Sequence, residues 1–269
     1  MTANDVNPAG LYKGLDPEQA IPDLQTILEH AIRNHDRSLQ TTIGPSSLGA
    51  DCDRCLITEL AGLKPAEDAA PWLPTVGTAV HEWAEAALIC HLITSGSDRY
   101  ITEGRVHVGD VDGQPIWGSS DVFDTWTGTV IDYKLVGTTS LRETTKNGLK
   151  KTYRRQAHLY GKGWQDAGFT VASVAVWMLP RNGFTIGSGW IHQEPYDRSI
   201  AEATIARADM FATAISVLGA EQVLASAGPH TGTEFSCPDP KAEEKKAKQL
   251  DGLLIPQTPD TSRAGSNAA

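Results

Sequence analysis

The chain has 269 residues, of which 40% are hydrophobic and 21% charged, a balance that excludes wholesale disorder, collagen-like repetition and a coiled coil. Its formal net charge of -10 argues against a general polyanion binder built on a basic tail. No apolar run approaches the roughly 20 residues of a membrane span, residues 1–10 lack the basic and apolar parts of a secretory leader, and four cysteines in a chain of this size are no secreted disulfide framework. The expectation is a cytoplasmic protein with no membrane association.

In chain order, residues 1–14 are polar and rich in turn formers. Apolar residues at Leu24, Ile27, Leu28 and Ile32 predict an amphipathic helix over 21–39. Ser46 or Ser47 is placed to cap a short helix that runs to Ala61 and stops at Gly62. A longer helix is predicted over 76–94, closed by Ser95-Gly96. The period then changes. Residues 101–108 alternate, 109–113 supply turn residues, and 118–126 and 129–136 read as two further strands, so a three-stranded meander is expected. A helix over 149–167 stops at Gly168, the apolar run 171–179 reads as a buried strand, 185–192 as another strand, and 199–225 as a final helix. Helix, three strands, helix, strand is an α/β arrangement with a mixed central sheet flanked by helices. The segments divide as 1–40, an N-terminal segment with a helix; 41–228, one domain; and 229–269, a largely flexible tail carrying a charged run and Pro256 and Pro259.

Three places carry chemistry. Asp132 and Lys134 share one face of the third meander strand, with Tyr133 opposite, and a charged pair in so apolar a strand is costly unless it binds something. Asp121, on the preceding strand, is expected to approach Asp132, and adjacent carboxylates repel unless a divalent cation neutralises them; hard oxygen donors suit Mg²⁺ or Mn²⁺. His81 lies on the helix before the meander. Between Arg142 and Lys162 the chain turns cationic, with Lys150, Lys151, Arg154 and Arg155 at its centre and Glu143 its one acid. On that helix Gln156 and Tyr160, four residues apart, share a face.

The ordered set Gly77-x-x-x-His81, Gly118-x-x-Asp121, Asp132-x-Lys134 and Gln156-x-x-x-Tyr160 resembles the RecB-like branch of the PD-(D/E)XK nucleases, and the segment from Pro45 to Arg54 resembles the start of related phage and CRISPR-associated exonucleases. The resemblance implies a restriction-endonuclease-like αβββαβ core. It also implies a metal held by His81, Asp121, Asp132 and the carbonyl of Tyr133, with Asp121, Asp132 and Lys134 as the catalytic set. Gln156 and Tyr160 would position DNA, and Lys150, Lys151, Arg154 and Arg155 would hold neighbouring phosphates. Glu85 and Glu103 match no motif and read as surface charge.

The function implied is a Mg²⁺- or Mn²⁺-dependent DNA exonuclease of recombination, repair or end processing. It would act on linear or single-stranded ends alongside recombination or replication proteins, and in the host cytoplasm if phage-encoded. An endonuclease of the same fold and a non-catalytic DNA-binding or assembly protein are the alternatives.

In the CRISPR-associated and related helicase-nuclease members of the family this chain resembles, one cysteine before the histidine motif joins three after the tyrosine around a [4Fe–4S] cluster. This chain departs from that pattern, with Cys52 and Cys55 before His81, Cys90 on the same helix, and Cys237 alone after Tyr160. Cys90 falls half a turn out of phase with His81 and reads as core. Cys52, Cys55 and Cys237 are expected to meet, with Cys90, His230 or another group completing an iron–sulfur or zinc site.

Overall fold

The computed structural model of the chain describes residues 17–35, 43–63, 70–232 and 237–238. Helix α1 (Ala20–Arg33) forms over most of its predicted span, while residues 36–42 lie outside the described set. Its apolar stripe stays in solvent, with Ile21 and Ile27 among the exposed residues, and borders a cleft of about 570 Å³ shared with Ala70 and Trp72.

The single short helix predicted through Ala61 is two helices, α2 (Pro45–Leu48) and α3 (Asp53–Leu60). Cys52 takes extended backbone angles and starts α3, so the chain breaks across residues 49–52, and the Ser47 hydroxyl donates to Glu59 instead of capping a helix. Leu48, Leu56 and Ile57 are fully buried, which seats both helices on the core. Helix α4 (Trp72–Ser95) ends, as expected, at a left-handed Gly96. It lies on the fold by one side only, none of its residues is fully buried, and Trp83 and Ile93 face solvent.

Strands β1 (Tyr100–Val111), β2 (Gln114–Asp124) and β3 (Thr129–Val136) form the predicted antiparallel meander. β4 (Ser173–Pro180) pairs in parallel with β3 from Thr129↔Ser173 to Val136↔Pro180, and β5 (Trp190–Pro195) closes the sheet antiparallel to β4. Paired on both edges, β4 accounts for the continuous apolar run in its sequence. The parallel step needs a crossover, supplied by α5 (Thr138–Asn147) and α6 (Lys151–Asp166). α6 lies on the sheet, its Trp164 ring stacked on Phe123 at 4.7 Å and its Ala157 and Leu159 fully buried. The last predicted helix is again two, α7 (Arg198–Leu218) and α8 (Ala220–Ser226), because Gly219 between them adopts φ +85°, which a helix does not accept.

The αβββαβ order is therefore present, with α5 inserted before α6, in a mixed five-stranded sheet flanked by helices. Among the described residues no helix is long and apolar enough to cross a membrane. Residues 1–16 and 239–269, where loose ends are expected, lie outside the described set.

Candidate metal centre and the helix beside it

β2 and β3 pair at Asp124↔Thr129, Phe123↔Val130 and Val122↔Ile131. One residue further on, a side chain takes over from the ladder, and the Tyr133 N–H donates to Asp121 Oδ2 at 2.6 Å. This bond fixes a buried carboxylate beside β3. From α4, His81 Nδ1 reaches to 3.2 Å from Asp121 Oδ1 and 4.0 Å from Glu103 Oε1. His81, Glu103 and Asp121 each present one ligand atom, all within 4.8 Å of one another. The two carboxylates are hard donors suited to Mg²⁺ or Mn²⁺, and the imidazole adds one borderline nitrogen.

Glu103 is the residue the sequence reading missed. It stands on β1 between the paired levels Thr102↔Val122 and Gly104↔Ser120, which places it opposite Asp121, and Ser119 Oγ donates to its Oε2 at 2.6 Å. It does so at φ 46°, a left-handed conformation that costs a non-glycine residue on the order of 1 kcal/mol or more. Strand alternation cannot foresee that flip. The signal available was an acid lying one ladder level across from Asp121. The reading of Glu103 as surface charge is thereby corrected; Glu85 is half-buried on α4 and joins neither cluster of ligand atoms.

Asp132 and Lys134 sit beside this set as an ion pair, Lys134 Nζ to Asp132 Oδ2 at 2.8 Å. Burial pushes the Asp132 carboxyl up to about 6, with Asp121 adding to the rise while Lys134 and His81 oppose it. Burial alone would depress Lys134, yet Asp132 and Asp121 outweigh it and hold the ammonium above the ordinary lysine value. Asp132, expected as a metal ligand, thus has Lys134 as its nearest partner and lies outside the group formed by His81, Glu103 and Asp121. The Tyr133 ring meets the His81 ring edge-on at 5.9 Å.

The cationic helix differs more from expectation. Gln156 and Tyr160 are buried, and Gln156 Nε2 donates to the Tyr160 hydroxyl at 3.2 Å. Tyr160 and Pro45 fill the space where Gly118 lacks a side chain: a Cβ there would lie 2.4 Å from Pro45 Cγ and 2.8 Å from Tyr160 Cε1. Gly118 is therefore a packing requirement between α2, α6 and the site strand. Arg154 donates from Nε and NH2 to the two carboxylate oxygens of Glu194, at 2.6 and 2.8 Å. Arg155 donates to the carbonyls of Gly49 and Ala50, at 3.2 and 3.1 Å, and lies 3.4 Å from Asp51. These two arginines, expected on phosphates, are engaged by the protein's own acids and carbonyls. Lys150 and Lys151 are exposed, with Lys151 Nζ 3.5 Å from Asp51.

In a separate group, Cys52, Cys55 and Cys237 meet around His230. Burial works against a Cys52 thiolate, but the backbone N–H groups of Cys55 and Thr231 and the His230 ring bring its thiol down to about 6, whereas burial and the two neighbouring thiols push Cys55 up. Cys90 is exposed and outside this group, so neither its reading as core nor its place in a metal site holds; the side of α4 that carries it faces solvent.

Neither a protein-family model nor a curated protein matches the sequence. Among solved structures, the chain is similar to the alkaline exonuclease LHK-Exo from Laribacter hongkongensis, with 14% identity, a TM-score of 0.44, and coverage of 78% of this chain and 95% of that one. The structure of LHK-Exo in complex with dAMP gives 16% identity, a TM-score of 0.41 and the same coverage. A phage-related exonuclease from Haemophilus somnus 129PT gives 14% identity and a TM-score of 0.46 over 65% of this chain and 95% of that one. At these values the likeness assigns neither a family nor an activity.

Proposed function

We propose that the chain is a divalent-metal-dependent deoxyribonuclease of the RecB-like PD-(D/E)XK kind, acting as an exonuclease on DNA ends in recombination, repair or end processing. The observation that carries this reading is the convergence of His81, Glu103 and Asp121 on one point beside the buried Asp132–Lys134 pair. Clustered acids with a lysine inside a fold are expensive unless a cation and an anionic substrate neutralise them.

His81, Glu103 and Asp121 would hold Mg²⁺ or Mn²⁺, with Asp132 and the Tyr133 carbonyl completing the shell. When bound, the ion supplies a Lewis acid for a phosphoryl oxygen and eases deprotonation of the attacking water. Lys134, kept cationic by its carboxylates, offsets the charge that develops on the phosphorus oxygens. The Tyr133 N–H and the Ser119 hydroxyl hold the two carboxylates in place before substrate arrives. Lys150 and Lys151, at the start of α6, contact phosphates, while the buried Gln156 and Tyr160 act by fixing α6 against the site strands.

The test uses end-labelled linear DNA and covalently closed circular DNA with Mg²⁺, Mn²⁺ or EDTA. Degradation of linear DNA from its ends with either metal, none with EDTA, and intact circles is the expected result. Cleaved circles would make the enzyme an endonuclease. Binding without turnover under every condition would refute the nuclease reading and leave a binding or assembly role.

A further inference from the structure

We propose that Cys52, Cys55, His230 and Cys237 form a closed tetrahedral zinc site that ties the chain beyond α8 to the start of α3. His230 Nδ1 lies 3.5 Å from Cys52 Sγ, 3.4 Å from Cys55 Sγ and 3.5 Å from Cys237 Sγ. An imidazole nitrogen has one proton or one lone pair, so it cannot serve three thiols at once by hydrogen bonding. Near-equal distances to three sulfurs are instead the edges of a tetrahedron with nitrogen at one corner. Zinc–sulfur bonds of about 2.3 Å and zinc–nitrogen bonds of about 2.0 Å at the tetrahedral angle give sulfur–nitrogen edges of about 3.5 Å. All three cysteines are free thiols, and the four ligand atoms lie within 4.8 Å of one another.

The spacing selects one ion. A four-iron cluster sets a separate iron behind each ligand and holds the ligands far apart, whereas this group closes around a single centre. Three thiolates and an imidazole are a soft donor set of the structural zinc type, and four protein ligands leave no open position for a substrate. The Gly232 N–H donates to Cys237 Sγ at 3.3 Å, the kind of outer hydrogen bond that orients a thiolate ligand.

Cys52 and Cys55 flank the first turn of α3, and His230 lies 175 residues beyond Cys55, so the site closes most of the chain into one loop. Its surroundings point the same way. Arg54 donates to the carbonyls of Gly228 and Ala227 at 3.2 and 3.3 Å. Arg207 of α7 donates to Asp53 and, at 2.7 Å, to the Ala50 carbonyl. With Arg155 of α6 on Gly49 and Ala50, the turn ahead of Cys52 joins α6, α7 and the zinc clip. This site is independent of the nuclease centre and of the reading given to it.

The experiment measures metal content on purified full-length protein by mass spectrometry, together with zinc-edge X-ray absorption on the wild type. About one zinc per chain is expected, in a first shell of three sulfurs and one nitrogen, with no visible colour. Cys52→Ser, Cys237→Ser and His230→Ala should each fall below about a tenth of that zinc content and melt at lower temperature, while Cys90→Ser keeps both. A metal-free wild type, a brown protein with iron and acid-labile sulfide, or a zinc shell of oxygen and nitrogen would overturn the proposal. So would full zinc retention in both Cys237→Ser and His230→Ala. The absorption and metal measurements on wild type decide the matter even if a variant fails to fold.

Discussion

Arg154→Ala separates two roles for one arginine, a phosphate contact or an internal tie. The bidentate pair with Glu194 sets the size of the second. His158 and His192 also approach Glu194, at 3.2 and 3.5 Å; burial raises the Glu194 carboxyl, but Arg154 and His158 outweigh it and pull it from 4.5 to about 2. At 1.36 kcal/mol per unit, that shift bounds the whole network near 3 kcal/mol. The Arg154 side chain is 44% exposed; screening by water reduces its share to about 1–2 kcal/mol. Because the folded-state value is depressed, the stabilisation is complete above pH 4.5 and fades as pH falls towards about 2. Urea unfolding should therefore show Arg154→Ala less stable by about 1–2 kcal/mol at pH 7, the difference shrinking through that acid window. The same variant should leave the salt slope of DNA binding unchanged, whereas Lys151→Ala lowers it by roughly one. Wild-type stability with a reduced salt slope for Arg154→Ala would refute this assignment and return the arginine to the DNA.

Three further outcomes are expected. Asp121→Ala should abolish cleavage and also destabilise by about 1–3 kcal/mol in urea titration, because the Tyr133 N–H loses its acceptor; Asp121→Asn, which keeps an acceptor, should lose activity with little loss of stability. Lys134→Met should destabilise by about 3 kcal/mol or more by stranding Asp132, while adding Asp132→Asn restores most of it, a coupling read from a double-mutant cycle in calorimetry. Gly118→Ala should lower the melting temperature, at a cost of about 1–3 kcal/mol, since the added methyl meets Pro45 and Tyr160.

Legibility from sequence followed the range of the interactions involved. The meander and β4 were readable because alternation and apolar runs are local. α5 was missed because its sequence, Thr138–Asn147, is rich in threonine, with Leu141 its one large apolar residue, so neither propensity nor an apolar stripe announces it. Both split helices reflect single backbone positions, Gly219 and Cys52, that window-based periodicity averages away. At the site, strand alternation places Asp132, Lys134 and Asp121 near one another, His81 enters only through the resemblance, and in the structure His81 lies 3.2 Å from Asp121 while Lys134 pairs with Asp132. Glu103 depends on strand register and a left-handed φ, and the internal ties of Arg154 and Arg155 depend on Glu194 and on the turn at Gly49, distant partners that a helical charge pattern cannot show. The meeting of Cys52 and Cys55 with Cys237 was expected from the resemblance, in which the segment after the core returns to the segment before it, with His230 one of several candidates for the fourth corner.

The side chains of the sheet-edge site come from four different elements: His81 from α4, Glu103 from β1, Asp121 from β2, and the Asp132–Lys134 pair from β3. No single hairpin or helix of this chain can assemble the ligand set. On the proposed reading, metal affinity is a readout of completed sheet assembly, and a partly folded or locally opened chain lacks the complete ligand set. The same coupling works in reverse, for an ion that binds only the assembled arrangement adds its binding free energy to the docking of α4 on the meander. On the proposed reading, free metal concentration sets how tightly an otherwise lightly anchored helix is held against the sheet.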